Sequence, residues 1–188
     1  LGEDLACLNS SEPWIALTEN VWKMVGKDRQ VTPDDIVGKG ITSPLFYMMY
    51  VIARKQQARD LENGAIVNYA NFGNNNSVEF DHVFPKSKLD AFFKEKKVAG
   101  GERKRLMNQI GNMAFMTKKG NIIKSNDDPA VYFPKVEKKH GGTDYFDRQQ
   151  IPCAEELLQY EAFDAFIAER AKRLAKGVNE FLSSLKPV

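Results

Sequence analysis

The chain is poor in the residues that most often announce chemistry. It has two cysteines and two histidines in 188 residues. Cys7 and Cys153 stand far apart and form no CxxC pair. That argues against a zinc knuckle or a disulfide framework and fits a reducing, cytoplasmic setting. The longest apolar run, residues 44–53, ends at Arg54-Lys55. It is about half the length a membrane-spanning helix needs, so it predicts a buried helix and no membrane association. No P-loop, dinucleotide fingerprint or nucleophile triad is present. The N-terminus, Leu1-Gly2-Glu3-Asp4, is not signal-like and reads as a fragment boundary, so a longer parent protein is expected.

What is present suits one soluble domain with a real core. Hydrophobic residues make up 43% and charged residues 28%, which is ordinary for a globular protein. The net charge of +2 hides an asymmetry. Residues 86–124 carry eleven Lys or Arg against three acids, so the rest of the chain is net acidic. A basic segment on a nearly neutral protein predicts one face that meets a polyanion.

The pattern divides into three parts, taken as one domain over 1–188 of an α+β, mostly helical fold. Residues 1–75 read as helical. Ser11 is the expected cap of a helix through Trp14, Ile15, Leu17, Val21, Trp22 and Met24. Thr32-Pro33 opens a short helix, and Ser43-Pro44 opens another that runs to about Leu61. A loop ends in Asn71-Phe72-Gly73-Asn74-Asn75-Asn76. Residues 77–126 change period. Val78-Glu79-Phe80 alternates like a strand that Pro85 closes. Ser87 to Lys97 reads as a basic helix with Leu89, Phe92 and Phe93 inward. Gly100-Gly101 breaks it, and Glu102 to Gln109 forms a second basic helix. Met113 to Thr117 is a second strand, and Lys118 to Ser125 leads into a helix. In residues 136–188, Pro152 opens a helix whose stripe of Phe163, Phe166, Ile167, Ala171, Leu174, Val178, Phe181 and Leu182 is scaffold.

The candidate chemistry lies in the middle part. Asp81 and His82 close the first strand. Neighbours on a strand point to opposite faces, so both reach one site only where the strand is ending. Asp81 offers a hard oxygen suited to magnesium or manganese. His82 offers a base that titrates near neutrality. Asn121 follows Gly120 at the start of the last helix of this part and can join Asp81 on one metal. Asn112 follows Gly111 and can fix the loop that bears His82 and hold its ring. Lys124, one turn after Asn121, can reach a phosphate. Lys86, Lys88, Lys104, Lys118 and Lys119 are the candidate contacts to a nucleic-acid backbone, which position a substrate without reading its sequence.

Asp81-His82-Val83-Phe84-Pro85, then Ile110-Gly111-Asn112-Met113, then Lys119-Gly120-Asn121-Ile122-Ile123-Lys124 together resemble the ββα-metal motif of HNH nucleases. The likeness is to the C-terminal nuclease domain of GmrSD-type, modification-dependent restriction proteins. The nine-residue step from Asn112 to Asn121 is also similar to the HNH domain of RNA-guided CRISPR nucleases. The resemblance implies that a ββα core, with a basic helical insert longer than in a minimal HNH unit, sits between flanking helices. It implies that His82 activates water, that Asp81 and Asn121 hold one Mg2+ or Mn2+, and that Asn112 orients the His82 loop. Asparagine at the third motif position favours these ions over zinc. It further implies DNA nicking in bacterial restriction or antiviral defence, with 5′-phosphate and 3′-hydroxyl products. An N-terminal nucleotide-binding sensor domain would belong to the parent protein. The competing expectation is a catalytically silent nucleic-acid-binding or interaction module on the same scaffold.

Overall fold

A computed structural model describes residues 2–26, 29–68 and 75–184. Most of the expected loop, residues 69–74, lies outside the described residues. The chain divides into two compact units, residues 1–31 and 32–188. The first holds α1 (Gly2–Leu8) and α2 (Pro13–Val25), which pack on each other, with the Asn20 amide donating to Asp4 Oδ1 at 2.9 Å. Ser11 does not cap α2. Glu12 takes the N-cap position and Pro13 the first turn, where a missing N–H costs nothing.

The second unit is α+β and mostly helical, as expected. It runs α3 (Pro33–Ile36), α4 (Pro44–Lys55), β1 (Val78–His82), α5 (Lys86–Glu95), α6 (Gly100–Met107) and β2 (Met113–Thr117). It continues through α7 (Lys118–Lys124), α8 (Pro129–His140), α9 (Asp144–Asp147) and α10 (Phe163–Ser184). β1 and β2 pair antiparallel, in a register that sets Asp81 opposite Ala114 and His82 opposite Met113. The predicted second strand is found over the same residues.

Two of the predicted helices end or begin elsewhere. α4 ends at Lys55, not near Leu61, because Gln57 adopts a positive φ of 53° and turns the chain back into a short bridge between Arg59 and Ile66. Pro152 opens no helix: 3-10 turns at Glu155–Leu157 and Tyr160–Ala162 precede α10, which starts at Phe163. The stripe on α10 is buried from Phe163 to Val178, while Leu182 is exposed.

β2 is buried along its whole length, so its outer edge must find partners inside the protein. Gln149 supplies them. Its side-chain Oε1 accepts from Phe115 N at 2.8 Å and its Nε2 donates to Phe115 O at 3.0 Å. One face of β2 meets α4, where Phe115 packs against Phe46 and Tyr50. Ala114 and Met116 join the main core with Phe84, Phe93, Phe133, Phe146, Phe163 and Phe166.

The step from β2 into α7 is held by Asp60, which is fully buried. Its carboxylate accepts from Glu62 N (2.8 Å), Asn63 N (2.7 Å), Thr117 N (2.6 Å) and Thr117 Oγ1 (3.0 Å). Thr117 in turn caps α7 by accepting from Gly120 N. A Cβ at position 120 would run into the Asp60 carboxylate. Gly120→Ala is expected to cost about 1–3 kcal/mol by overpacking, and Asp60→Ala about 3 kcal/mol by stranding buried donors. Urea denaturation monitored by circular dichroism measures both.

Asp128, at the N-cap position of α8, ties two further elements together. Lys88 Nζ and Tyr160 OH both donate to its carboxylate, at 2.8 and 2.5 Å. Partial burial pushes the carboxyl pKa up, but these hydrogen bonds outweigh that and hold it below the usual aspartate value. A depressed folded pKa contributes stability that is present above the unfolded pKa and lost as pH falls through the folded one. Melting curves should therefore show wild type above Asp128→Asn at neutral pH, with the gap closing in acid.

Candidate active site

The site is built where β1 runs out. Val83 and Phe84 are almost fully buried, and Phe84 meets Tyr160, Phe163 and Phe166 edge-on at 5.0–5.6 Å. Pro85 then takes the N-cap position of α5. The chain thus dives into the core directly after His82, and the strand ends where the sequence places its last polar pair. Asp81 and His82 line the same cleft, of about 640 Å3, with Lys86, Asp90, Lys104 and Asn126.

Asn112 holds this turn from the other side. It is fully buried, in a 3-10 turn over Ile110–Asn112. Its Oδ1 accepts from Phe84 N at 2.9 Å, and its Nδ2 donates to Phe84 O (3.3 Å) and Met107 O (3.0 Å). Val83 N donates to its carbonyl at 2.8 Å. Gly111 lets α10 approach, since a Cβ there would sit 3.1 Å from Ile167 Cδ1. Arg170, buried on α10, donates to Gly111 O at 3.0 Å. The bonds to Val83 and Phe84 tie Asn112 to the turn that follows His82. The bonds described for it all go to main chain, and the ring is held elsewhere. His82 Nε2 lies 3.1 Å from Asn108 Oδ1, just past the end of α6.

α7 lies over the face of β1 that carries Glu79 and Asp81. Asn121 Nδ2 donates to Glu79 Oε2 at 3.0 Å. Lys124 Nζ donates to Asp81 Oδ2 at 2.5 Å and to the His82 carbonyl at 2.7 Å. Lys124 is only 3% exposed, so it is placed on Asp81 rather than out in solvent where a phosphate contact was expected. The arrangement brings Asp81, His82, Asn112 and Lys124 to one end of the β pair, with Asn121 held further back along β1 on Glu79. Burial pushes the His82 pKa down, partly offset by the Asn108 hydrogen bond and the Asp81 charge, so the neutral imidazole is favoured.

The oxygens available at this end are hard donors. Among the described residues no group of three or more His, Cys, Asp or Glu could hold a metal ion. A cation held by Asp81 would need further oxygen donors, and the amide of Asn121, bonded through its nitrogen to Glu79, is a candidate. The amide suits that use. Its nitrogen is committed to Glu79, and its Oδ1 makes no hydrogen bond among the described residues. A hard-oxygen set of this kind fits magnesium or manganese better than zinc.

The basic segment separates into two classes. Asp90 pairs with Lys94 and Arg103, Glu102 with Arg105, and Asp128 with Lys88. Lys88 is therefore partly committed within the protein. Lys86, Lys104, Lys118 and Lys119 are exposed and make no ion pair among the described residues, and Lys86 and Lys104 line the cleft.

A family model described as the C-terminal domain of GmrSD restriction endonucleases matches residues 33–177. The chain belongs to that family. No curated protein and no solved structure matches it. The GmrSD match begins one residue inside the second compact unit and takes in α3 to most of α10, the cleft included. The family makes this a nuclease domain of the restriction-endonuclease class. No helix among the described residues is long and apolar enough to cross a membrane.

Asn108, Glu79 and Asp60 carry no functional role in the sequence reading. Asn108 falls there within the second basic helix, Glu79 within the first strand, and Asp60 near the end of the helix that opens at Ser43-Pro44. Their contacts span 26, 42 and 57 residues of chain, and only the position of Asn108, four before Asn112, offered a local signal. Asn112→Ala should cost about 2–3 kcal/mol, because Phe84 N and Met107 O lose buried partners. Asn112→Asp should also destabilise, since a carboxylate cannot donate to Met107 O. Chemical denaturation of the two variants tests this.

Proposed function

We propose that the chain is an HNH-type, ββα-metal endonuclease domain that nicks DNA with one Mg2+ or Mn2+ ion. The observation that carries the reading is the meeting of β1 and α7. α7 sets Lys124 on Asp81 and the His82 carbonyl and Asn121 on Glu79, two residues back along the same strand, while Asp81 and His82 line a cleft with lysines in its walls.

In this reading His82 is the general base. It takes a proton from the water that attacks the phosphorus, and the P–O3′ bond breaks. The 3′ oxygen gains a proton from solvent, leaving 5′-phosphate and 3′-hydroxyl ends. Asp81 and Asn121 would hold the cation, which supplies stabilisation of the charge that develops on the phosphate. Asn112 keeps the His82 loop in place through main-chain bonds. Lys124 holds the Asp81 carboxylate in place from α7. Lys86, Lys104, Lys118 and Lys119 would contact the backbone, with Lys88 a weaker contributor because Asp128 shares its charge. Sequence preference within this domain would be weak.

One observation favours the alternative of a silent nucleic-acid-binding module: the ammonium of Lys124 already neutralises Asp81. Plasmid nicking separates the two. Supercoiled plasmid with magnesium or manganese should be nicked by wild type. His82→Ala should be slower by roughly a hundredfold or more, with DNA binding retained. Equal nicking by both proteins removes His82 from the mechanism, and metal-dependent nicking by neither favours the silent module. Nicking by wild type should fall in acid as the imidazole gains its proton. Asn121→Ala should weaken manganese binding, read by titration calorimetry. Asp81→Ala is a poor probe, because it would leave the buried Lys124 ammonium unpaired at a cost of about 3–5 kcal/mol; Asp81→Asn keeps an acceptor for it.

A further inference from the structure

We infer that Asn108 is the positioning residue of the nuclease site: it holds the His82 imidazole in the tautomer with the proton on Nε2 and leaves Nδ1 free to accept a proton. This rests on the reading of His82 as the base. The amide orientation decides the argument. Asn108 Nδ2 donates to Lys104 O at 2.8 Å, one turn back along α6. A flipped amide would set its oxygen against that carbonyl. Oδ1 therefore points at the ring, where it lies 3.1 Å from His82 Nε2. An amide oxygen only accepts, so Nε2 must donate. The neutral ring then carries its lone pair on Nδ1.

The placement gives the basic insert a second task. α6 contributes Lys104 to the cleft wall, and the residue just past its end grips the ring. Main-chain bonds from Asn112 to Phe84 and Met107 fix both ends of this contact relative to each other. Asn112 locates the loop, and Asn108 sets the angle and protonation pattern of the imidazole that the loop carries. A base held through one nitrogen with its other nitrogen free is ready to take a proton; a ring in the opposite tautomer presents an N–H to the water instead.

The test uses the whole chain with uniformly 15N-labelled histidine and three proteins: wild type, Asn108→Leu and Asn108→Asp. Leucine fills the space and cannot accept, whereas aspartate keeps the acceptor. Imidazole 15N shifts are read at a pH where the rings are neutral. His140, whose Nε2 lies 3.0 Å from Leu61 O, serves as the unperturbed internal reference. Wild type and Asn108→Asp should show His82 with the proton on Nε2. Asn108→Leu should show a mixed or reversed tautomer while His140 stays unchanged. In plasmid nicking, kcat of Asn108→Leu should fall by roughly a hundredfold, at the low end of what a general base contributes, with KM little changed and Asn108→Asp largely active. An unshifted His82 tautomer in Asn108→Leu overturns the proposal whatever its activity. A kcat loss shared equally by the leucine and aspartate variants overturns it too, as a structural effect. A tautomer shift in a chain that nicks nothing upholds the placement of the ring and counts against the nuclease reading itself.

Discussion

Asn112 joins two segments of chain that are 28 residues apart, and the geometry of the whole site depends on that joint. Its carboxamide satisfies the Phe84 N–H and carbonyl and the Met107 carbonyl, all in the buried interior. No apolar side chain could do this, because each main-chain group left without a partner there would cost free energy comparable to a lost hydrogen bond. The joint fixes the turn after β1, and the turn fixes where Asp81 and His82 end up. Phe84 strengthens it from the apolar side by packing among three aromatic rings. At the opposite end of the β pair, Asp60 plays the matching part by setting the direction in which α7 departs.

The ion pair between Lys124 and Asp81 has a different character. Lys124 is 3% exposed and the Asp81 side chain 16%. Taking such charges out of water is expensive, and a buried pair often stabilises no more than an apolar substitute would. Its value lies in placement. The carboxylate at the end of β1 is held at a definite point by a cation that belongs to α7. That cation also donates to the His82 carbonyl, so one ammonium registers α7 against both residues of the Asp-His pair.

How much of this was legible in the sequence varies with the range of the interaction. β2 could be read because five consecutive residues from Met113 to Thr117 suit a buried strand. The start of β1, the proline-led opening of α3 and the inward stripe of α10 were local patterns too. The motif residues could be placed near one another because strand, strand and helix leave few ways to pack. The failures are long-range or conformational. The end of α4 depends on Gln57 entering the left-handed region, which no propensity would suggest for glutamine. Pro152 sits in a segment that winds over the core in 3-10 turns before α10 begins. α8, missing from the sequence reading, runs through Pro134 in its interior. The ring partner of His82 was assigned to the motif asparagine because that residue is the nearer in pattern, whereas the fold hands the task to Asn108.

Gln149 occupies the outer edge of β2 with a single side-chain amide, donating and accepting as a neighbouring strand would. A two-stranded sheet normally presents an open edge on which another chain can build by strand addition. Here that berth is already taken at Phe115. A neighbouring domain or protein that influences this nuclease could not dock by extending its sheet at that point, and would have to engage helices or the lysine-bearing rim instead.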